Sequence, residues 1–131
     1  MQDRFKFRVW CKTKQEWEKD EICITNKEHY IITNPKFTRV TNIDPQYHEI
    51  NFCTGLKDKN GKLIYEGDII YKKGSKDYKK EKMYSRVCWD SMYAQFNISD
   101  KNGMHQMPSN SNNIEVIGNI YENSELLKDN E

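Results

Sequence analysis

The apolar residues of this chain come in runs too short for ordinary helices, and bend-forming residues cut them every few positions. Phe5, Phe7 and Val9 alternate with Lys6, Arg8 and Trp10, the period-two pattern of a half-buried strand. The polar run KTKQ at 12–15 reads as a turn. EICIT (21–25), HYIIT (29–33), FTRVT (37–41) and YHEINF (47–52) follow, each bounded by Asn, Asp, Pro or Lys. Pro35 and Pro45 fall in the breaks, where no central ladder bond is lost. SRVCW (85–89) and MYAQFNI (92–98) pair as a hairpin across Asp90-Ser91. IEVIGNIY (114–121) is a last strand, with Gly118 at a bulge or a close backbone approach. Only SELLKDN (124–130) offers a helix start, with Ser124 as N-cap. Short strands at close spacing predict an all-β barrel or roll with hairpin extensions and little helix, not a βαβ fold.

The stretch TGLKDKNGKLIYEGDII, residues 54–70, tests that reading, because its glycines resemble a phosphate loop. A P-loop needs GxxxxGK followed by Ser or Thr, opening a helix whose N-terminal N–H groups meet the phosphates. Here the spacing from Gly55 to Gly61 and Lys62 is one residue too long, Leu63 stands at the hydroxyl position, and LIY favours strand. The glycines are turn formers instead. Asn60-Gly61 predicts a type I′ hairpin turn, with positive φ at both residues, and Gly67-Asp68 a tight bend. Asp58 and Asp68 suit the acceptance of turn N–H bonds. Leu56, Ile64, Ile69, Val116 and Ile120 are the expected core positions.

A chain of 131 residues is long enough for one core without disulfides or metal. A mean hydropathy of -1.00 leaves no room for a membrane span, and MQDRFKFRVW carries no export signal, so a cytoplasmic protein is expected. Cys11, Cys23, Cys53 and Cys88 form no CxxC pair and read as reduced, small apolar residues. His29, His48 and His105 lack zinc-ligand spacing, so no metal and no cofactor are expected, although three-dimensional assembly lies beyond what spacing reveals.

Taken together, FxTGLKDKNGKxIYEGDII from Phe52, an N-terminal FRVW, Val-x-Trp-Asp at 87–90 and EVIGNIYEN at 115–123 are similar to the YopX protein family of phages and prophages. Cys53 stands where that family usually has tyrosine, Cys11 where aspartate is common and Ser124 where proline is common. The resemblance implies a single SH3-like domain over 1–131. Its barrel blocks would lie near 4–17, 47–71, 85–98 and 114–121, with variable segments at 18–46, 72–84 and 99–113. It also implies a phage or prophage origin in a Gram-positive host cell. It supplies no catalytic residues to carry over.

Enzymatic chemistry needs a nucleophile, an acid–base pair or a supported metal, and no such constellation is visible. Glu66 and Asp68 read as turn residues, and His48 and Glu49 point to opposite faces of a strand. The expected activity is therefore non-catalytic binding to a host or phage protein, inhibition of a host defence nuclease of the CRISPR type being one version. Trp10, Trp17, Trp89, Tyr93 and Tyr121 are the aromatics from which anchors are drawn, with Trp89 and Tyr121 expected in the core. Trp17, Tyr93, Glu115, Glu122 and Glu125 are the candidate contact residues, the acids serving by charge mimicry. The alternative is nucleic acid. Residues 71–86 carry a net +5, with Lys72, Lys73, Lys76, Lys79, Lys80, Lys82 and Arg86 interleaved with Tyr71, Tyr78 and Tyr84. From Val87 onward the net charge is -5, which opposes a polyanion nearby. The polar stretch 99–113 is either a binding loop or a solvated one. Exposed strand edges leave homo-oligomers open.

Overall fold

The computed structural model of the chain describes residues 6–19, 21–24, 30–33, 40–76, 79–108 and 111–128. Within them strands dominate, as the alternation predicts. β1 (Phe7–Cys11), β2 (Glu16–Trp17), β3 (Glu21–Ile24), β4 (Tyr30–Thr33) and β5 (Val40–Asn42) come first. They are followed by β6 (His48–Lys57), β7 (Leu63–Tyr65), β8 (Asp68–Lys76), β9 (Lys82–Asp90), β10 (Gln95–Asp100), β11 (Gly103–Gln106) and β12 (Ile114–Asn119). The helix α1 (Glu125–Lys128) is a single turn, beginning just after Ser124 as its capping position predicts. The chain forms two compact units, one made of Met1–Phe7 with Asn51–Glu131 and one of Arg8–Ile50.

In the smaller unit the KTKQ run is the turn of the β1–β2 hairpin, which aligns Trp10 with Trp17 and Cys11 with Glu16. Gln15 takes a left-handed φ of 55° to close it, and its N–H donates to the Cys11 carbonyl at 2.9 Å. β3, β4 and β5 form an antiparallel sheet in that order. Of FTRVT, residues 37–39 lie outside the described residues, as do Thr25 and His29.

The larger unit is the barrel-like all-β part, built from the β6–β7 hairpin and a five-stranded antiparallel sheet in the order β11-β10-β9-β8-β12. Its core is Ile64, Ile70, Val87, Ile98 and Ile114, with Met107 and Val116 packed on it. Val87 and Ile98 face one another across β9 and β10, so one side of the sheet supplies most of this cluster. Each such side chain contributes roughly 1.5–3 kcal/mol on burial. Of the expected core positions, Ile64 and Ile69 are fully buried, and Val116 and Ile120 are half-buried. Leu56 is not core; it is 39% exposed. Leu56 has the strand phase of Phe52, itself 38% exposed, and lies opposite to buried Asn51 and Cys53; the two extra β6 residues where the register shifts between Cys53 and Lys57 leave that phase unchanged.

Segment 54–70 contains no helix and runs strand, turn, strand, turn, strand. Its first turn differs from the expected type I′. Gly61 has φ 80°, but Asn60 is not in the left-handed region. The Gly61 N–H donates to the Asp58 carbonyl at 3.0 Å, which makes 58–61 the four-residue turn, with Gly61 closing it. The bend at Gly67 holds as expected. At φ 86° it directs its N–H to the Val87 carbonyl (2.8 Å) while its carbonyl accepts from Ile120 (2.9 Å).

Two other turns were mis-sized. The β9–β10 hairpin closes through residues 91–94 rather than Asp90-Ser91 alone, with Ala94 at φ 51°. The Asp90 carboxylate stabilises this longer loop by accepting from the Met92 and Tyr93 N–H groups. Much of the polar stretch 99–113 is ordered strand: β10 and β11 pair from Asn97↔Gln106 to Asp100↔Gly103. Propensity did not reveal GMHQ as a strand because pairing with β10, not its own composition, fixes it. Gly118 lies at a bulge, as expected, while the close approach there comes from a side chain and not from another backbone. The β12–β8 register shifts between Val116 and Gly118, and a Cβ there would collide with the Asn123 side chain.

Candidate interaction surfaces

The basic segment is the β8–β9 hairpin. Tyr71 stands opposite Tyr84 and Lys76 opposite Lys82, with a register shift between the two pairs. Alternation puts Lys82, Tyr84 and Arg86 on one face of β9. The Tyr71 and Tyr84 rings meet edge-on at 6.0 Å, and Lys82 Nζ lies 5.0 Å from the centre of the Tyr71 ring. Lys72, Lys73, Lys76, Lys79, Lys80, Lys82 and Arg86 are all exposed. Tyr78 lies outside the described residues. The tyrosines are half-buried against each other, so the hairpin presents cations around an aromatic pair rather than open rings.

A different surface occupies the turn of the β9–β10 hairpin. Met92 is 82% exposed and Tyr93 70%. Trp89, expected in the core, is 42% exposed. It has the same strand phase as Val87, but sits near the end of β9, beyond the reach of the core, where its ring meets Phe96 edge-on at 5.0 Å. The turn is held firmly. Asp90 Oδ1 accepts from Met92 N–H at 2.9 Å, Asp90 Oδ2 accepts from the buried Asn97 amide at 2.9 Å, and Gln95 donates to Asn97 Oδ1 at 2.9 Å.

The remaining candidates lie away from that turn. Trp17, in the smaller unit, contacts Trp10 edge-on at 5.0 Å and lies under the Arg8 guanidinium at 4.2 Å. Trp10 itself is buried. Tyr121, expected in the core, is only half-buried, because its hydroxyl accepts from Asn51 at 2.9 Å at the edge of the packed region. Glu115 pairs with Lys59 at 3.1 Å. Glu122 accepts from Asn119 at 3.1 Å, and Glu125 is exposed in the first turn of α1.

Titratable groups were also brought together that sequence separation had hidden. Asp100 lies between Ser85 (3.5 Å) and His105 (3.4 Å), an order that gives the hydroxyl a carboxylate rather than an imidazole base. Burial pushes the Cys88 thiol above its ordinary value; Arg86 opposes the rise and Asp90 and Glu66 add to it, so little thiolate forms there. Cys11 and Cys53 are free and buried. One group of possible metal donors stands out among the described residues: Cys11, Glu18 and His48 place their ligand atoms within 4.8 Å of one another. The side chain of Cys23 lies outside the described residues.

In the comparisons with known proteins, the model of the YopX protein family matches residues 6–128. The fold is similar to that of protein EF1440 from Enterococcus faecalis. The two share 25% identity and a TM-score of 0.65, over 94% of this chain and 97% of that one. It is also similar to protein yopX from Bacillus subtilis, at 19% identity and a TM-score of 0.63, over 93% of this chain and 97% of that one. None of the curated proteins matches. No described helix is long and apolar enough to cross a membrane.

Proposed function

The chain belongs to the YopX family, and from that premise we propose that it is a phage- or prophage-encoded, non-catalytic binding module. It docks on a host or phage protein through the turn of the β9–β10 hairpin. The observation that carries this reading is the exposure of Met92 (82%) and Tyr93 (70%) beside Trp89 (42%). Methionine and aromatics are the side chains that interfaces concentrate, and a grouped set of them on a surface marks a contact site. The Asp90–Asn97 contacts hold the turn in place before any partner arrives. Less ordering is then lost on binding.

The target class proposed is a host defence nuclease, because obstruction of its substrate channel requires no chemistry from the inhibitor. Aromatic docking is better supported than charge mimicry, since Glu115 is ion-paired with Lys59. The test is capture from phage-infected host lysate, treated or untreated with nuclease, using wild type and a Met92→Ser/Tyr93→Ala variant. A nuclease-resistant protein bound by wild type and lost by the variant supports the reading. Equal capture by both, or recovery of nucleic acid alone, overturns it.

A second reading rests on the β8–β9 hairpin, where Lys82 and Arg86 share a strand face with Tyr84 beside Tyr71. Phosphate neutralisation by such a surface makes affinity fall steeply with salt. Absence of single- or double-stranded nucleic-acid binding at low salt rules it out.

A further inference from the structure

We propose that Cys11, Glu18 and His48 form a binding site for a borderline-soft divalent cation of the zinc class. The β1–β2 hairpin brings Glu18 back beside Cys11: the Glu18 N–H donates to the Val9 carbonyl at 2.8 Å. A second turn supplies the histidine. Asp44 Oδ1 accepts from the Gln46 N–H at 2.9 Å, and the Asp44 carbonyl accepts from the Tyr47 and His48 N–H groups, each at 2.9 Å. The Lys12 N–H donates to the Tyr47 carbonyl at 2.8 Å and ties this turn to the hairpin. All of these residues belong to the smaller unit.

The histidine's orientation is the informative feature. Its Nδ1 lies 3.2 Å from the Asp44 carbonyl oxygen, the same oxygen that accepts from the Tyr47 and His48 N–H groups. The other ring nitrogen, Nε2, faces Glu18 Oε1 at 3.6 Å. A divalent cation seated between these two groups would be bound by both. Lys14 approaches the same carboxylate oxygen at 3.9 Å but is itself largely exposed. The buried Cys11 sulfur, which also lies 3.2 Å from Thr13 Oγ1, adds a soft donor beside them. Zinc-class ions take sulfur, nitrogen and oxygen ligands together, the set these three side chains offer.

The dimensions agree. Tetrahedral coordination at bond lengths of about 2.0–2.3 Å separates donors by about 3.3–3.6 Å. The His48–Glu18 separation of 3.6 Å already matches, and Cys11 Sγ, within 4.8 Å of both, would draw in by at most about 1–1.5 Å. A carbonyl holding the remote ring N–H is the usual support of a metal-binding histidine. As the ion binds, the Cys11 thiol releases its proton to solvent and the sulfur enters as thiolate. Three protein donors leave one position for water.

The test uses the full chain after chelator treatment, with cobalt(II) as spectroscopic probe and zinc(II) as competitor. One equivalent of cobalt should give a thiolate-to-metal charge-transfer band that zinc abolishes. Cys11→Ser should remove the band, Cys88→Ser should keep it, and His48→Gln or Glu18→Gln should weaken affinity at least about tenfold. Absence of the band in wild type, or its persistence in Cys11→Ser, overturns the assignment. If Cys11→Ser fails to fold, His48→Gln decides: unchanged cobalt affinity refutes the site, and weakened affinity with native circular dichroism supports it.

Discussion

Replacement of Asp58 by alanine should be among the most damaging single changes outside the apolar core. This carboxylate is 5% exposed, and it accepts from three backbone N–H groups at 2.9 Å: Asn60 and Lys62 through Oδ1, and Val116 through Oδ2. It therefore shapes the 58–62 loop and fastens that loop to β12, where Lys59 N–H also donates to the Ile114 carbonyl at 2.9 Å. A hydrogen bond to a charged group contributes about 1.5–3 kcal/mol. Water can replace part of the loss at Asn60 and Lys62, which are exposed, but less of it at half-buried Val116. The expected cost of Asp58→Ala is therefore about 2–4 kcal/mol, and that of Asp58→Asn, which keeps one acceptor oxygen, about 1–3 kcal/mol. Either is a large share of a domain stability of about 5–15 kcal/mol.

The pH dependence supplies an independent check. Burial alone would raise the Asp58 carboxyl; the Val116, Lys62 and Asn60 N–H groups and the Lys62 charge outweigh it and hold the group below its ordinary 3.8. A lowered folded-state value stabilises the fold fully above the unfolded value, and that contribution is lost as pH falls through the folded one. Urea unfolding of wild type and Asp58→Asn should show a constant difference from neutral pH down to about 4, narrowing below it. A difference that stays flat in acid, or an alanine variant within about 0.5 kcal/mol of wild type, refutes the reasoning.

Three further substitutions test the backbone. Gly118→Ala drives a Cβ into Asn123, whose Oδ1 accepts from Asn119 N–H at 3.2 Å, so a loss of about 1–3 kcal/mol is expected by urea titration. Gly67→Ala places a side chain at φ 86° and 3.1 Å from Asn51 Oδ1, and should lower the unfolding free energy from urea titration by about 1–3 kcal/mol through left-handed strain. Ala94→Gly relieves a left-handed residue at φ 51° in an exposed turn and should raise stability by about 0.5 kcal/mol, read from the same midpoint.

What was legible in the sequence is what local pattern controls. Alternation located β1, and turn-forming residues located the bends at 12–15, Gly61, Gly67 and Asp90. Turn type was less legible, because the conformation at Asn60 depends on a carboxylate that also binds a distant strand. The exposure of Trp89 could not be read from its apolar character, since the limiting factor is where the core ends along β9. The Cys11–Glu18–His48 group was hidden for another reason. Its members meet only because two turns, 12–15 and 45–47, bring separate strand ends together, and neither turn carries a ligand-spacing motif. The chemical donors were visible; their convergence was not.

The glycine-rich stretch 54–70 is where a ligand site would be sought first, and its polar groups are already committed to structure. Asp58 holds three N–H groups, Gly67 joins β9 to the residue after β12, and buried Asp68 accepts from the Tyr65 N–H at 2.8 Å. A ligand there would have to displace these bonds and leave buried donors unpaired, at about 1–3 kcal/mol each. The turn at 91–94 is the opposite case, because Met92 and Tyr93 add little to folding and lie open to a partner. Stability and binding should therefore separate by position: substitutions at Asp58 or Gly67 move the urea midpoint, and those at Met92 and Tyr93 move partner capture. A variant within 54–70 that abolished capture while the midpoint stayed unchanged would place the binding surface in the stretch that looks purely architectural.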